Sequence, residues 1–180
     1  MRQLIYGVAA SLDGFISGPN GEYDWILPDS GIDFVALYSK FDTFLMGRRT
    51  YEVASSRSDL LRSAGMRNVV VSTTFDPAEH AEITVVKSGV PDAVRALKAE
   101  AGKNIWLFGG GILFRYLLDI GLVDAIEVCV FPVLLCAGTP LLPEGNRVAL
   151  KLKECKALPS GVVMVSYDVA KAEADAESRG

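Results

Sequence analysis

The sequence holds one histidine, three cysteines and no long apolar run, and each shortage closes off a class of function. His80 lies in Asp76-Pro77-Ala78-Glu79-His80-Ala81-Glu82, a polar stretch that reads as a surface loop. A Ser-His-Asp triad would have to be built around that one ring. A zinc site would need clustered ligands that the chain does not offer. Cys129, Cys136 and Cys155 are scattered and odd in number. They fit neither a disulfide framework nor a CxxC metal site, and the two inside apolar runs read as buried structural thiols. No segment reaches the roughly 18 apolar residues of a membrane span. Met1–Tyr6 has no signal-peptide pattern. The net charge is only −4, so bulk electrostatics give no reason to expect nucleic acid. These absences point to a cytoplasmic protein with no metal, nucleic-acid or membrane partner. The common nucleotide fingerprints are missing too. Leu113 and Phe114 follow Gly111 and Ile112, which breaks GxGxxG, and there is no GxxxxGK[ST]. A Rossmann domain and a P-loop NTPase are therefore disfavoured.

Two stretches nevertheless suit phosphate. In Asn104-Ile105-Trp106-Leu107-Phe108-Gly109-Gly110-Gly111-Ile112 an apolar strand runs into three glycines, and an amphipathic segment follows. A helix start leaves backbone N–H groups unpaired and carries a partial positive charge. Phosphate satisfies both, and glycine lets it approach the backbone. In Phe44-Leu45-Met46-Gly47-Arg48-Arg49-Thr50-Tyr51 a second strand ends in a glycine, two arginines and a threonine. Thr50 can cap the next helix or bind phosphate at its start. An arginine fork matches phosphate oxygens. The strand Asn68–Val71 then runs into the hydroxyls Ser72, Thr73 and Thr74. A site selecting NADH commonly places a carboxylate on the ribose 2′-hydroxyl. This region shows hydroxyls and arginines with no evident carboxylate, which favours NADPH.

The order of elements indicates an α/β fold. Leu4–Ala10, Thr43–Met46, Asn68–Thr73, Ile83–Val86 and Ile105–Phe108 read as strands. Helices are predicted from Ile32 to Phe41, after Thr50, after Pro91 and from Ile112 to Ile120. Ser55–Arg67 reads as a helical turn or a loop. Helical crossovers imply parallel pairing. Ala125–Leu135, Val148–Ala157 and Val162–Val169 are strand-like with no helix between them, which implies an antiparallel edge. The expectation is one domain, 1–170: a mixed, mainly parallel sheet of about eight strands with flanking helices. Residues 171–180 read as a frayed tail.

Four motifs carry a resemblance. Leu4–Ala10, the Ser11-Leu12-Asp13-Gly14 turn, Met46-Gly47-Arg48-Arg49-Thr50-Tyr51-Glu52 and Phe108-Gly109-Gly110-Gly111 follow the order found in the dihydrofolate reductase superfamily. Ser11–Gly14, Phe131-Pro132-Val133-Leu134-Leu135 and Gly138-Thr139-Pro140-Leu141 resemble the reductase domain of the bifunctional riboflavin-biosynthesis deaminase-reductase. The resemblance covers about residues 2 to 169. It implies a dihydrofolate reductase-like sheet and an NADPH groove lined by Ala9, Gly47, Arg48, Arg49, Thr50, Ser72, Gly109, Gly110, Gly111, Ile112 and Leu113. It places Thr139 near the nicotinamide end, makes the 11–25 loop a mobile lid, and implies a homodimer. The deaminase half and its zinc-ligand motif are absent.

Dihydrofolate reductases place an acid on the first helix, facing the pterin. Tyr23-Asp24-Trp25-Ile26-Leu27-Pro28 resembles the loop leading to it. Asp29 and Asp33 are the candidate acids here, with Asp24 a third. Asp33 also reads as a first-turn aspartate and Asp29 as a turn or cap residue. Trp25, Phe34 and Tyr38 can form an apolar wall over a flat ring. The implied activity is NADPH-dependent reduction of a pteridine, a pyrimidine, or an imine or carbonyl small molecule. Two alternatives stand beside it: 5-amino-6-(5-phosphoribosylamino)uracil reductase, and an NADPH-binding module without turnover.

Overall fold

Leu4–Ser11 alternates its side chains between two apolar faces, so as a strand it must be covered on both sides. In the computed structural model, which describes residues 1–56, 61 and 65–170, this strand is β1 and lies inside the sheet. The other strands are β2 (Phe15–Ser17), β3 (Phe41–Gly47), β4 (Arg67–Val71), β5 (Thr84–Val86), β6 (Asn104–Gly109), β7 (Ala125–Phe131), β8 (Thr139–Pro140), β9 (Leu150–Ala157) and β10 (Val163–Val169). The main sheet has eight strands in the order β5-β4-β3-β6-β1-β7-β10-β9. Every pair from β5 to β7 is parallel, and β7-β10 and β10-β9 are antiparallel. The sheet is the one anticipated: mixed, mainly parallel, with an antiparallel C-terminal edge.

Leu4, Tyr6 and Ala10 face one cluster, covered by α3 (Val90–Ala99) and α4 (Gly111–Asp119). Tyr6 stacks on Phe114 with ring centroids 3.7 Å apart. Each fully buried large side chain here contributes about 1.5–3 kcal/mol. The opposite face carries two separate clusters. Ile5, Phe44, Met46, Val70 and Trp106 pack under α1 (Phe34–Ser39) and α2 (Arg48–Ser55). Phe131, Leu158 and Val162 pack with Trp25, Ala9 and Cys129. Because Ile5 and Ala9 share a face of β1, both clusters lie on the same side, with a gap between them.

Several boundaries differ from the sequence reading. Helix α1 is shorter than the spacing of Ile32 to Phe41 predicts, because Asp33 caps it and Phe41 already opens β3. β7 stops at Phe131, although the apolar run continues to Leu135. Pro132 follows and has no N–H to continue a ladder. Cys136 therefore lies in a loop and is exposed, as is Cys155 on β9, while Cys129 is half-buried. The expectation of two buried thiols fails for that reason. Residues 171–180 and most of the Ser55–Arg67 stretch lie outside the described residues.

The short strands β2 and β8 were not anticipated. They form their own ladder, Ser17 opposite Thr139 and Phe15 opposite Pro140. Leu141 N also donates to Gly14 O at 2.8 Å. A Cβ on Gly138, whose φ is +148°, would lie 2.0 Å from Ser17 O. Only glycine fits there. Asp13 completes the clamp. Its carboxylate accepts from Ser11 Oγ, Leu135 N and Cys136 N at 2.6, 3.1 and 2.7 Å. The start of the predicted lid, residues 11–17, is thus tied to residues 135–141.

Candidate active site

The parallel strands deliver their C-terminal ends to one edge of the sheet. That edge is where α/β folds bind ligands. β3 ends at Gly47 and β6 at Gly109, and the two strands are neighbours with Met46 opposite Gly109. α2 starts directly after Gly47 and α4 after Gly110. Neither helix has a side-chain cap, so two sets of orphan N–H groups sit side by side. Thr50 lies between them. Its Oγ1 is 3.4 Å from where a Cβ on Gly110 would be and 3.6 Å from one on Gly109. The Gly109–Gly110 peptide is cis, and Gly109 has a φ of +128°. Nothing lies within 4 Å of a Cβ built on Gly47, so the backbone there is open. Gly111 differs: a Cβ on it would meet Pro143 Cδ at 3.2 Å. Packing against the 140–143 loop explains that glycine without a ligand. Ile112 is exposed, and Leu113 packs on the first cluster.

The arginines and hydroxyls divide into free and engaged groups. Arg48 is held by Glu52 at 2.9 Å, one turn along α2. A carboxylate is therefore near this region, contrary to the sequence reading. Arg49 is exposed and has no ion pair among the described residues. Ser72 is buried, and its hydroxyl accepts from Thr74 N and Phe75 N at 3.2 and 3.0 Å. It shapes the turn after β4. Thr73 is exposed beside it. Ser72 N donates to Val86 O at 3.1 Å, which places the end of β5 next to this turn. Lys87 follows directly. It is exposed, with no ion pair among the described residues, and sequence reasoning missed it. The β4–β5 neighbourhood is the signal that finds it.

Gly7 of β1 and Glu127 of β7 lie between the two clusters on the opposite face. One wall is aromatic. Phe34 stacks on Tyr38 with centroids 6.1 Å apart, and Tyr38 meets Trp106 at 5.8 Å. Burial pushes the Tyr38 phenol above its usual range. Trp25 is on the far wall, edge-on to Phe131 at 5.6 Å. Thus two of the three predicted wall residues come together, and Trp25 faces them from the other cluster. Thr139 is exposed in β8, on the clamp.

Both predicted acids are engaged in local structure. Asp33 is the N-cap of α1, accepting from Ala36 N at 2.9 Å. Asp29 accepts from Ser160 Oγ and from Gly31 N at 2.7 Å. The Ser160 hydroxyl, then the Gly31 amide, hold its carboxyl below the usual carboxylate range, so it stays ionised at neutral pH. Both acids have the turn and cap geometry that their sequence context also allowed. Glu127, in β7, was not singled out. It lies opposite Gly7 of β1 and Ser166 of β10. It is half-buried, with no hydrogen bond or ion pair among the described residues.

Known proteins share this architecture. A family model described as the RibD C-terminal domain matches residues 2–164. The uncharacterized protein YyaP of Bacillus subtilis is 31% identical, with 92% of this chain and 94% of that protein aligned. A solved structure from Shewanella sp. PV-4, attributed to riboflavin biosynthesis, is 27% identical with a TM-score of 0.81, covering 94% of this chain and 99% of that one. Dihydrofolate reductase from Enterococcus faecalis, solved in complex with NADP(H), shares the fold at 17% identity and a TM-score of 0.68, over 94% of this chain and 97% of that one. The fold is that of dihydrofolate reductase-like proteins, and the chain belongs to the RibD C-terminal domain family.

Proposed function

We propose that the protein is an NADPH-dependent reductase of a small planar molecule, a pteridine, a pyrimidine, or an imine or carbonyl compound. The observation that carries this reading is the pairing of two uncapped helix starts, α2 and α4, with Thr50 between them. A diphosphate fits that cradle. Gly47, Thr50, Gly109 and Gly110 would hold it. Arg49, Lys87 and Thr73 would receive a 2′-phosphate, with Arg48 contributing less because Glu52 already engages it. Ala9 and Thr139 would border the nicotinamide. When bound, NADPH supplies hydride. The protein's own part is to orient a flat ring between Phe34, Tyr38 and Trp25 and to limit water there. The homodimer implied by resemblance has support in β9, an edge strand exposed along its whole length that includes Leu150 and Leu152. Light scattering tests it.

Titration with both reduced cofactors tests the main reading. NADPH is expected to bind at least about tenfold more tightly than NADH. Equal affinity, or no binding of either, would overturn it. One observation favours a second reading, an NADPH-binding module without turnover: Asp29 and Asp33 are both engaged in local structure. NADPH binding without oxidation across pterins, pyrimidines and imines would support that reading.

A further inference from the structure

We propose that Glu127 anchors the substrate, and that the substrate is a planar N–H heterocycle or iminium carrying no phosphate. This rests on reading the gap between the two clusters as the substrate end. Ala125 packs in the Trp106 cluster, while Cys129 and Phe131 belong with the Phe131 cluster. Ile126 and Val128 face the other way. Strand alternation therefore points Glu127 into the gap between the clusters. Gly7, its neighbour in β1, has no side chain, and the Trp106 indole takes that place, with Nε1 2.6 Å from where a Cβ would lie. Trp106 Nε1 donates to Gly7 O at 2.9 Å, so the aromatic wall reaches the same strip of floor. Burial, then the charges of Glu127 and Asp29, raise the Cys129 thiol, two residues from Glu127 on the same face of β7. A half-buried carboxylate without a donor is costly, and a ligand N–H relieves that cost.

The second observation is where cations are missing. Residues 3–39, 116–146 and 157–170 supply β1, the 11–33 loop, α1, β7, the 132–141 loop and β10. These segments contain no lysine or arginine. Residues 3–39 alone carry five acids: Asp13, Glu22, Asp24, Asp29 and Asp33. Arg2 is turned to the opposite sheet edge, paired with Asp42 and Glu100. Lys40 follows α1 at the start of β3, also away from Gly47. A phosphate monoester carries close to two negative charges and needs charged donors. Among the described residues, these segments offer it only repulsion. A neutral N–H ring or an iminium cation is attracted instead, by Glu127 and by the faces of Phe34 and Tyr38.

Calorimetric titration of the full-length protein, with and without saturating NADPH, tests the proposal. The probes are 2,4-diaminopyrimidine and the matched pair 5-amino-6-ribosylaminouracil and its 5′-phosphate. In the unmodified protein the phosphate ester is expected to bind at least about tenfold more weakly than its dephosphorylated partner. Glu127→Gln is expected to weaken 2,4-diaminopyrimidine by at least about tenfold, with NADPH affinity and the thermal midpoint unchanged. Equal or tighter binding of the phosphate ester overturns the proposal, and that comparison needs no variant. So does unchanged 2,4-diaminopyrimidine affinity in Glu127→Gln, or failure of all three probes to bind at millimolar concentration. If the unmodified protein binds no NADPH, the reductase reading falls on its own, separately from these outcomes.

Discussion

At the proposed cofactor end, Arg49 and Lys87 are exposed and free of ion pairs among the described residues, and the backbone beside Gly47 is open. At the proposed substrate end the segments 3–39, 116–146 and 157–170 hold no cations, Phe34 and Tyr38 stack, and the Glu127 carboxylate stands opposite Gly7. The buried cations elsewhere behave differently from Arg49 and Lys87. Lys98 is held by Asp124 at 2.6 Å, and Arg115 is paired with Asp119. The chain thus pairs the cations that lie in its core, while Arg49 and Lys87 stand exposed at the ends of β3 and β5.

The sharpest way to break this comparison is at Gly109. Gly109→Ala places a Cβ at a φ of +128° beside Thr50. It is expected to cost about 1–3 kcal/mol of stability. NADPH affinity should fall with it, whereas 2,4-diaminopyrimidine binding should change little. Urea unfolding and cofactor titration measure the two effects. The next test acts on cofactor binding and not on stability, through Arg49→Ala and Lys87→Ala. Each lost charge-assisted contact is worth about 1.5–3 kcal/mol, so NADPH should weaken roughly 10- to 100-fold per cation while NADH is nearly unaffected. Equal losses for both cofactors would show that these cations do not read a 2′-phosphate.

Asp13→Asn probes the clamp between the two loops. The Ser11 hydroxyl and the amides of Cys136 and Leu135 lower the Asp13 carboxyl. A carboxyl lowered on folding stabilises the protein above its unfolded pKa of about 3.9, and that contribution is lost as pH falls through the folded value. The melting temperature of Asp13→Asn should therefore lie below that of the parent at neutral pH. The two curves should converge in strong acid. A constant gap at every pH would mean that the charge is not what holds the clamp. The smallest effect is expected at Arg48. Its pair with Glu52 is exposed, and such helix pairs are worth about 0.3–0.5 kcal/mol. Arg48→Ala should barely change stability and should weaken NADPH less than Arg49→Ala does.

Much of this fold was legible because apolar strands alternate with amphipathic segments, and glycine or proline marks the joints. The glycine motifs at 47 and 109–110 were legible for the same reason, since a strand running into glycine and then a helix is a local signal. The clamp was not. β2 and β8 have three and two residues, and only their tertiary neighbours make them strands. The run Ser72-Thr73-Thr74 did not show how its hydroxyls divide: Ser72 serves the turn, and Thr73 is exposed. Glu127 was hidden by its pattern. In Ala125-Ile126-Glu127-Val128 a single acid between apolar neighbours normally reads as a solvent-facing position. Here that face is the floor of a gap, which only the arrangement of the two clusters reveals.

Trp106 gives the molecule an optical gauge of its own. There are only two tryptophans, Trp25 and Trp106, and they stand on opposite walls of the same gap. The Trp106 indole is fixed by its bond to Gly7 O, so its emission should follow what lies on the floor rather than its own motion. Trp25 bonds only the backbone of its own loop, Glu22 O at 3.3 Å, and should follow the far wall. Single Trp→Phe variants would divide the signal into two colours of the same event. One would report when a ring arrives, and the other whether the opposite wall closes upon it.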